Sequence, residues 1–217
     1  MNEFLKTRKA VDDASKYLEE NNLISSGLSC KNWEIFQVIP FLKDGNICDL
    51  GSDGSVVLPN AVNLKLKGWK VGIDLAYEEN ANTDYGIDIF KGDLMATMFD
   101  DEAFDIVTCL SVIEHSVKYD KIAKEVSRIL KIGGSAFISF DYWETPLDTS
   151  LTKLYSLDWN VLCKENVVEL VHEFKNNAME LTTEIDWTIQ DAVINSTFCS
   201  PQIGIEYTFG ILNFIKK

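Results

Sequence analysis

A glycine-containing turn with two carboxylates is the part of this sequence best suited to binding a ligand. Residues 49–55 read Asp-Leu-Gly-Ser-Asp-Gly-Ser and follow a short apolar run. The glycines allow a ligand to approach the backbone closely. A pyrophosphate-binding turn would have a glycine where Asp53 stands, and the carboxylates of Asp49 and Asp53 would repel phosphate groups. The turn therefore favours a positively charged ligand over a dinucleotide.

S-adenosylmethionine is a cofactor of that kind, because it presents an ammonium and a sulfonium and carries no phosphate. Carboxylates beside the turn would attract both charges. Asp74 lies at the end of the next apolar run, where it can accept hydrogen bonds from both ribose hydroxyls. NAD-dependent enzymes also use an acid at this place, so Asp74 alone does not decide between the cofactors.

Short apolar runs alternate with helical periodicity through the middle of the chain. The expected strands are 47–50, 70–75, 87–90, 103–110 and 136–140, with helices over 56–66 and 119–130, the second ended by Gly133 and Gly134. Strands that alternate with helices pair in parallel through right-handed crossovers. The pattern predicts an α/β, doubly wound, Rossmann-like sheet that binds its ligands at the carboxyl ends of the strands.

The two ends of the chain predict elements that cover this sheet. Helices are expected over 4–18, over 31–42 with Ser29 as a candidate cap, and over 164–179, while 142–156 is expected to be a loop. Apolar stretches at 179–185 and 204–215 predict an antiparallel hairpin at the sheet edge. The result would be a mostly parallel sheet of seven strands in a single domain. Its expected parts are a helical cap (1–42), a cofactor-binding core (46–141), and acceptor-side elements with the C-terminal hairpin (142–217).

Five motifs give residues 46–141 a resemblance to the class I S-adenosylmethionine-dependent methyltransferases, and in particular to the group called methyltransferase type 11. The motifs are Asp49-Leu50-Gly51-Ser52-Asp53-Gly54, Gly72-Ile73-Asp74-Leu75, Gly92-Asp93-Leu94, Phe104-Asp105-Ile106-Val107 and Leu130-Lys131-Ile132-Gly133-Gly134. The resemblance implies that the first turn holds the methionine part of the cofactor, Asp74 the ribose, and Asp93 with Leu94 the adenine amino group.

The cofactor residues that this resemblance implies come from the ends of four strands. They are Asp49, Leu50, Gly51, Ser52, Asp53, Gly54, Asp74, Leu75, Asp93, Leu94, Leu110 and Ser111. The turn departs from the family pattern at Asp53, which stands where a glycine is common. An acid fits there if its backbone dihedral angles are ordinary.

His115 is the candidate general base. It ends the segment Ser111-Val112-Ile113-Glu114-His115, which resembles the family segment that runs past the cofactor towards the acceptor. Imidazole has a pKa close to neutral and can take the proton of an acceptor hydroxyl as the methyl group transfers. Three alternatives stay open: His115 holds the loop, Glu114 caps it, or in-line alignment alone supplies the rate. The residues of 141–144 either line the acceptor pocket or cover the core with their two aromatic rings.

Charge and composition narrow the range of partners. The formal net charge of −14 disfavours nucleic acid, because such a surface gains nothing from counterion release. The five cysteines, Cys30, Cys48, Cys109, Cys163 and Cys199, include no C-x-x-C pair, so free thiols and no metal site are expected. The chain shows no signal peptide or membrane span, which predicts a cytoplasmic location.

The function predicted from these features is methyl transfer from S-adenosylmethionine to an oxygen, and as a second choice a nitrogen, of a small-molecule or glycan acceptor. A cofactor-binding protein without transferase activity is the alternative. A nucleotide-dependent oxidoreductase with the same sheet is a third hypothesis, and the acids of the turn argue against it because they would repel the phosphates of a nucleotide. The oligomeric state is not predicted.

Overall fold

A mostly parallel sheet lies at the centre of the computed structural model, which describes residues 2–83, 86–195 and 204–217. The strands are β1 (Glu3–Phe4), β2 (Ile47–Leu50), β3 (Lys70–Asp74), β4 (Ala81–Asn82), β5 (Asp88–Lys91), β6 (Phe104–Cys109), β7 (Leu130–Tyr142), β8 (Lys153–Leu154), β9 (Leu157–Asp158), β10 (Met179–Leu181), β11 (Ile194–Asn195) and β12 (Glu206–Lys216). The helices are α1 (Arg8–Glu20), α2 (Lys31–Val38), α3 (Val57–Asn63), α4 (Tyr119–Ile129) and α5 (Lys164–Asn176), with a 3₁₀ turn at Ile39–Phe41.

The strand order contains a reversal that defines the ligand edge. The order is β1-β12-β7-β6-β2-β3-β5-β4, and the pairs among β7, β6, β2, β3 and β5 are parallel. From β2 the chain first builds outward through β3 and β5, and then crosses to β6 on the other side. Ligands in such sheets bind in the crevice at the carboxyl ends of the strands where the order reverses, which here are β2 and β6.

Helices cover both faces of the sheet because successive strand residues point in opposite directions. Ile47 packs with the residues of α1, α2 and α3, whereas its neighbour Cys48 packs with those of α4 and α5. The predicted doubly wound α/β class is therefore confirmed. The predicted antiparallel hairpin is also present, since β10 pairs with β12 from Met179 opposite Lys216 to Leu181 opposite Phe214.

The sheet has more strands than the sequence indicates. The described residues form ten strands in the main sheet, and β8 and β9 pair separately within the segment expected to be a loop. The unpredicted members of the main sheet are β1, β4 and β11, each of two residues. Two residues are too few to show an alternating pattern, so these strands leave no signal in the sequence.

The amino-terminal elements differ from the expected helices in their boundaries. Phe4 lies in β1 opposite Gly210. The helix begins at Arg8, and Thr7 caps it, since its hydroxyl accepts a hydrogen bond from the N–H of Ala10 at 3.3 Å. The second helix ends at Val38 because Pro40 cannot continue it, and its cap residue is Cys30 instead of Ser29.

The glycine pair that was expected to end a helix lies inside a strand. Helix α4 ends at Ile129 and β7 begins at once, so Gly133 and Gly134 belong to β7. Gly133 has a φ of +77°, and the register between β6 and β7 shifts in this region. Glycine is favoured at such an irregularity because it has no Cβ to oppose a positive φ. The longer strand includes Asp141, which was expected to follow it.

Across the described ranges, no helix combines the length and the apolar composition that crossing a membrane requires.

Candidate active site

The turn after β2 is fastened to the end of β3. The N–H groups of Gly51 and Ser52 donate hydrogen bonds to the carbonyl oxygen of Ile73 at 2.8 and 3.2 Å. Gly51 and Gly54 have φ angles of +74° and +73°, in the region that favours glycine. Asp53 lies outside that region, so the acid that departs from the family pattern stands in the turn without backbone strain.

Asp49 presents a buried carboxylate beside this turn. It lies opposite Thr108 in the register of β2 and β6, and its Oδ1 accepts a hydrogen bond from the Thr108 hydroxyl at 2.6 Å. Its Oδ2 is buried without a hydrogen-bond partner among the described residues. Burial raises the pKa of Asp49 to about 6, with a smaller contribution from Asp74, while the hydroxyls of Ser55 and Thr108 lower it. A buried anion with an unused oxygen fits a cationic group of a ligand.

Asp74 places a second carboxylate at the mouth of the turn. Its Oδ2 accepts a hydrogen bond from the N–H of Asp53 at 3.1 Å, and its Oδ1 accepts one from Ala76 at 2.8 Å. Each oxygen keeps a further lone pair for ligand hydroxyls. The neighbouring Leu75 is 56% exposed, and the Tyr77 hydroxyl lies 2.8 Å from the Ser52 hydroxyl, a contact that sequence reasoning missed.

Asp93 and Leu94 lie at the next strand end but differ in exposure. The N–H of Gly92 donates to the Asp74 carbonyl oxygen at 3.1 Å, which brings Asp93 to the same edge. Asp93 is exposed, and its Oδ1 accepts a hydrogen bond from the N–H of Met95 at 2.8 Å. Leu94 is buried in the core, so its side chain is not exposed at this edge.

The segment after β6 lies directly against the turn. A Cβ built on Gly51 would stand 2.4 Å from the Cγ2 atom of Val112. Leu110 is half-buried, and Ser111, with a φ of +52°, donates its N–H to the Ser139 hydroxyl at 2.9 Å. The structure thus gathers the residues implied by the resemblance at the carboxyl ends of β2, β3, β5 and β6.

Charged side chains form a cluster beside this segment, between α2 and the end of β7. We call Lys31, Glu34, Glu114 and Asp141 the charged cluster. Its three acids are each at most 4% exposed, and the Lys31 side chain is 28% exposed. Lys31 Nζ lies 3.5 Å from Glu34 Oε2 and 4.6 Å from the centre of the Phe209 ring. The carboxylates raise the pKa of Lys31 despite its burial, so this lysine is a cation at neutral pH.

Hydrogen bonds from other side chains hold two of the acids, Glu34 and Asp141, whereas one oxygen of Glu114 lacks a partner among the described residues. Glu34 Oε1 accepts hydrogen bonds from the hydroxyls of Ser111, at 2.7 Å, and Ser139. Asp141 Oδ2 accepts one from the Trp159 indole at 2.7 Å. In the part of the chain that the structure describes, Glu114 Oε2 has no partner. Burial raises the pKa of both Asp141 and Glu114, and Lys31 opposes the rise.

His115 stands at the outer side of the charged cluster. It is half-buried, its backbone bridges to Trp159, and the edge of its ring meets the Tyr155 ring at 5.6 Å between centroids. Its Nδ1 is buried and lacks a hydrogen-bond partner within the described ranges. Burial and the charge of Lys31 lower the pKa of His115 to about 4. The imidazole is therefore neutral at neutral pH and less basic than the residue type suggests.

The aromatic residues after position 141 divide between the two roles considered for them. Tyr142 is buried against Phe4, with ring centroids 4.1 Å apart, and covers the core. Asp141 points to the opposite face of the same strand, towards Trp159. Trp143 is half-buried and packs with the core on the α2 side of the sheet.

Sequence reasoning missed the partners that support the site. They are Lys31, Glu34, Tyr77, Thr108, Ser139 and Trp159. Thr108 left a weak signal, since it is a hydroxyl within a mostly apolar strand. Lys31 and Glu34 are spaced as an ordinary ion pair on a helix, which is usually a solvated feature.

The described cysteines form no disulfide bonds. Cys30, Cys48, Cys109 and Cys163 are free thiols, and Cys199 lies outside the described residues. No three His, Cys, Asp or Glu side chains in the described segments are arranged to hold a metal ion.

Comparisons with known proteins agree with this geometry. A family model described as a methyltransferase domain, of type 11, matches residues 61–138. An S-adenosylmethionine-dependent methyltransferase from Mesorhizobium loti has a TM-score of 0.63 at 13% identity, over 88% of this chain and 99% of that one. Geranyl diphosphate C-methyltransferase from Streptomyces coelicolor, in complex with S-adenosyl-L-homocysteine, has a TM-score of 0.60 at 16% identity, over 85% and 75%. At these identities the similarity establishes the fold.

One curated relative matches by sequence. Sterol 24-C-methyltransferase of Aspergillus fumigatus is 29% identical over 75 residues, which cover 35% of this chain. The match spans a fifth of that relative's length.

The family model covers residues 61–138, and the fold of the chain is similar to that of S-adenosylmethionine-dependent methyltransferases. That segment resembles the methyltransferase domain of type 11, a class of S-adenosylmethionine-dependent enzymes. Its own residues fit the cofactor of the class, because the unused oxygen of Asp49 suits an ammonium and the turn at Gly51 and Gly54 leaves the backbone open to a ligand.

Proposed function

We propose that the protein transfers a methyl group from S-adenosylmethionine to an oxygen, and as a second choice a nitrogen, of a small-molecule or glycan acceptor. The observation that supports this most directly is the buried, unpartnered Oδ2 of Asp49 beside the glycine turn, counted among the described residues. Burying a carboxylate without a partner costs folding free energy, and a cationic ligand would supply the missing partner.

The residues of the chain divide the binding of the cofactor among them. In this proposal Asp49 binds the ammonium group, Asp74 accepts hydrogen bonds from the ribose hydroxyls, and Asp93 meets the adenine amino group. The rest of the turn and of the strand ends lines the site with backbone and small side chains: Leu50, Gly51, Ser52, Asp53, Gly54, Leu75, Leu94, Leu110 and Ser111. The bound cofactor supplies an electrophilic methyl group, and these residues fix its position relative to the acceptor.

The acceptor side is proposed to comprise residues 1–42 and 142–217 around the core of 46–141. His115 lies there with a neutral imidazole that can accept a hydrogen bond from an acceptor hydroxyl. The net charge of −14 favours an acceptor that is not a polyanion. Free thiols in the described chain suit a reducing compartment, so we propose a cytoplasmic location.

A cofactor-binding role without transferase activity is the second candidate. The low pKa of His115 favours it, because a base with a pKa of about 4 removes a hydroxyl proton poorly. Cofactor binding without transfer to any acceptor would support this candidate.

Calorimetric titration with S-adenosylhomocysteine tests the cofactor assignment. We expect binding by the wild type and a loss of affinity of about tenfold to a hundredfold in Asp74→Ala, because charge-assisted hydrogen bonds to the ribose disappear. Asp12→Ala, which removes an exposed acid of α1, should bind as the wild type does. Absence of binding to the wild type, or equal binding of NADH, would contradict the proposal.

A further inference from the structure

The charged cluster is connected to the proposed cofactor site by the segment that contains Val112. Val112 touches the turn at Gly51, as the 2.4 Å approach to a built Cβ shows, and Glu114 lies two residues further on. Ser111, on the other side of Val112, binds Glu34. Glu114 and Glu34 are thus fixed by the same segment that borders the cofactor turn.

Glu114 is the acid of the charged cluster whose hydrogen bonds are not all satisfied within the described residues. It is 1% exposed, and its Oε2 has no hydrogen-bond partner among the residues that the structure describes. The backbone around it is fixed, because its carbonyl oxygen accepts a hydrogen bond from the N–H of Asn160 at 2.9 Å. Buried polar atoms without partners are rare in folded proteins, and one beside a binding site indicates a ligand group that is still to arrive.

The charges around Glu114 determine which chemical group of an acceptor can bind beside it. Ionisable groups of α2, β6, β7, α4 and its own loop surround it, and Tyr207 of β12 acts through Asp141. They are Lys31, Glu34, Cys109, Asp141, Tyr119 and His115. Three carboxylates face one ammonium, so another anion would be repelled in this poorly solvated place. A hydroxyl that donates a hydrogen bond meets no such opposition.

We propose that Glu114 is the residue that receives the hydrogen of the acceptor, and that the acceptor is an uncharged alcohol. This inference rests on the proposed function and names the catalytic residue and substrate class at that site. The acceptor oxygen forms a bond to the methyl carbon while the bond from that carbon to sulfur breaks. The electron pair of that bond goes to sulfur, the hydroxyl proton goes to the Glu114 carboxylate, and S-adenosylhomocysteine and a methyl ether result.

Glu114 suits this role better than the histidine next to it. Its basicity is increased by burial and by Asp141, whereas that of His115 is decreased by burial and by Lys31. A catalytic base is most effective when its pKa lies near the working pH. His115 is left to accept a hydrogen bond that orients the acceptor.

Methyl transfer to matched acceptors tests the assignment. The probes are methyl glucoside and benzyl alcohol, with glucuronate and benzoate as their anionic counterparts, and labelled S-adenosylmethionine as donor. We expect transfer to the alcohols and none to the carboxylates. Glu114→Gln should lower transfer at least about a hundredfold and His115→Gln about tenfold, while Glu169→Gln, on the exposed face of α5, should have no effect.

The pH dependence supplies a readout that a merely structural role would not change. Activity should rise with pH as Glu114 loses its proton. Lys31→Gln removes a cation that lowers the pKa of Glu114, so this rise should move to higher pH. Asp141→Asn removes an anion that raises the pKa, so the rise should move to lower pH. Infrared titration of the carboxyl band in the S-adenosylhomocysteine complex should show the same opposite shifts, and the band should vanish in Glu114→Gln.

The outcomes separate this inference from the proposed function. Failure of the wild type to bind S-adenosylhomocysteine would remove the proposed function itself. Cofactor binding combined with any of three results would overturn the inference alone: full activity in Glu114→Gln, transfer to the carboxylates, or transfer to none of the alcohols. Infrared shifts of Lys31→Gln and Asp141→Asn in the same direction would also overturn it.

Discussion

Replacing Asp49 by asparagine should abolish most cofactor binding and at the same time stabilise the protein at neutral pH. The carboxylate is buried, and within the described residues its Oδ2 has no hydrogen-bond partner. Asparagine keeps the oxygen that accepts the Thr108 hydrogen bond but loses the charge. We expect S-adenosylhomocysteine to bind at least about tenfold more weakly, because a buried charge-assisted hydrogen bond to its ammonium is lost.

The stability gain follows from the sign of the pKa shift. The pKa of Asp49 rises from 3.8 to about 6 on folding, so the folded state holds the proton more tightly than the unfolded state. Stability is therefore lost as pH rises through this interval, and the loss is complete above it. The full cost is on the order of 3 kcal/mol. The asparagine amide, which also lacks a partner, should reduce the gain to about 1 to 2 kcal/mol.

Urea unfolding of both proteins at about pH 4 and about pH 8 checks this prediction. The asparagine variant should be the more stable protein at the higher pH, and the difference should shrink at the lower pH. A conservative control is Asp12→Asn on the exposed face of α1, which should change neither property. An asparagine variant that binds S-adenosylhomocysteine like the wild type would show that Asp49 does not meet the ammonium.

The placement of the proposed cofactor residues at one sheet edge could be predicted because these residues are local in sequence. Asp49 and Asp74 lie at the carboxyl ends of β2 and β3, Asp93 follows β5, and parallel strands end at the same edge. Strand, turn and acid lie within a few residues of each other, so composition and spacing suffice to place them. The fit of Asp53 was left open by the sequence, because it depends on a φ angle that only the structure gives, and that angle lies outside the positive region.

The acceptor side could not be predicted because its contacts join distant parts of the chain. Glu34 and Ser139 are 105 residues apart, yet they share a hydrogen bond. Helical periodicity places Glu34 on α2 beside Trp33 and Ile35, which are both buried, and nothing in that pattern marks the glutamate as buried too. Burial also reversed the expected basicity of Glu114 and His115, since desolvation raises the pKa of an acid and lowers that of an imidazole.

Gly51→Ala and Gly54→Ala form a pair that separates backbone strain from close packing at the cofactor turn. Both glycines have nearly the same φ, +74° and +73°, so the backbone penalty of a Cβ should be about 1 kcal/mol in each. They differ in the space around them. The new Cβ at position 51 would meet Val112 at 2.4 Å, whereas the one at position 54 has no described atom within 4 Å.

We expect Gly54→Ala to cost about 1 kcal/mol of unfolding free energy and Gly51→Ala about 2 to 4 kcal/mol, because overpacking adds to the strain. Since Val112 is β-branched, it cannot rotate away freely, and the clash must move the segment that carries Glu114. The Gly51 variant should therefore lose both cofactor affinity and methyl transfer. Urea denaturation and calorimetry with S-adenosylhomocysteine measure the two effects.

The double variant Gly51→Ala/Val112→Ala should recover part of each loss, because the smaller side chain removes the branch atoms that the Cβ meets. Equal behaviour of the two glycine variants, or no recovery in the double variant, would mean that Gly51 and Val112 are not in contact.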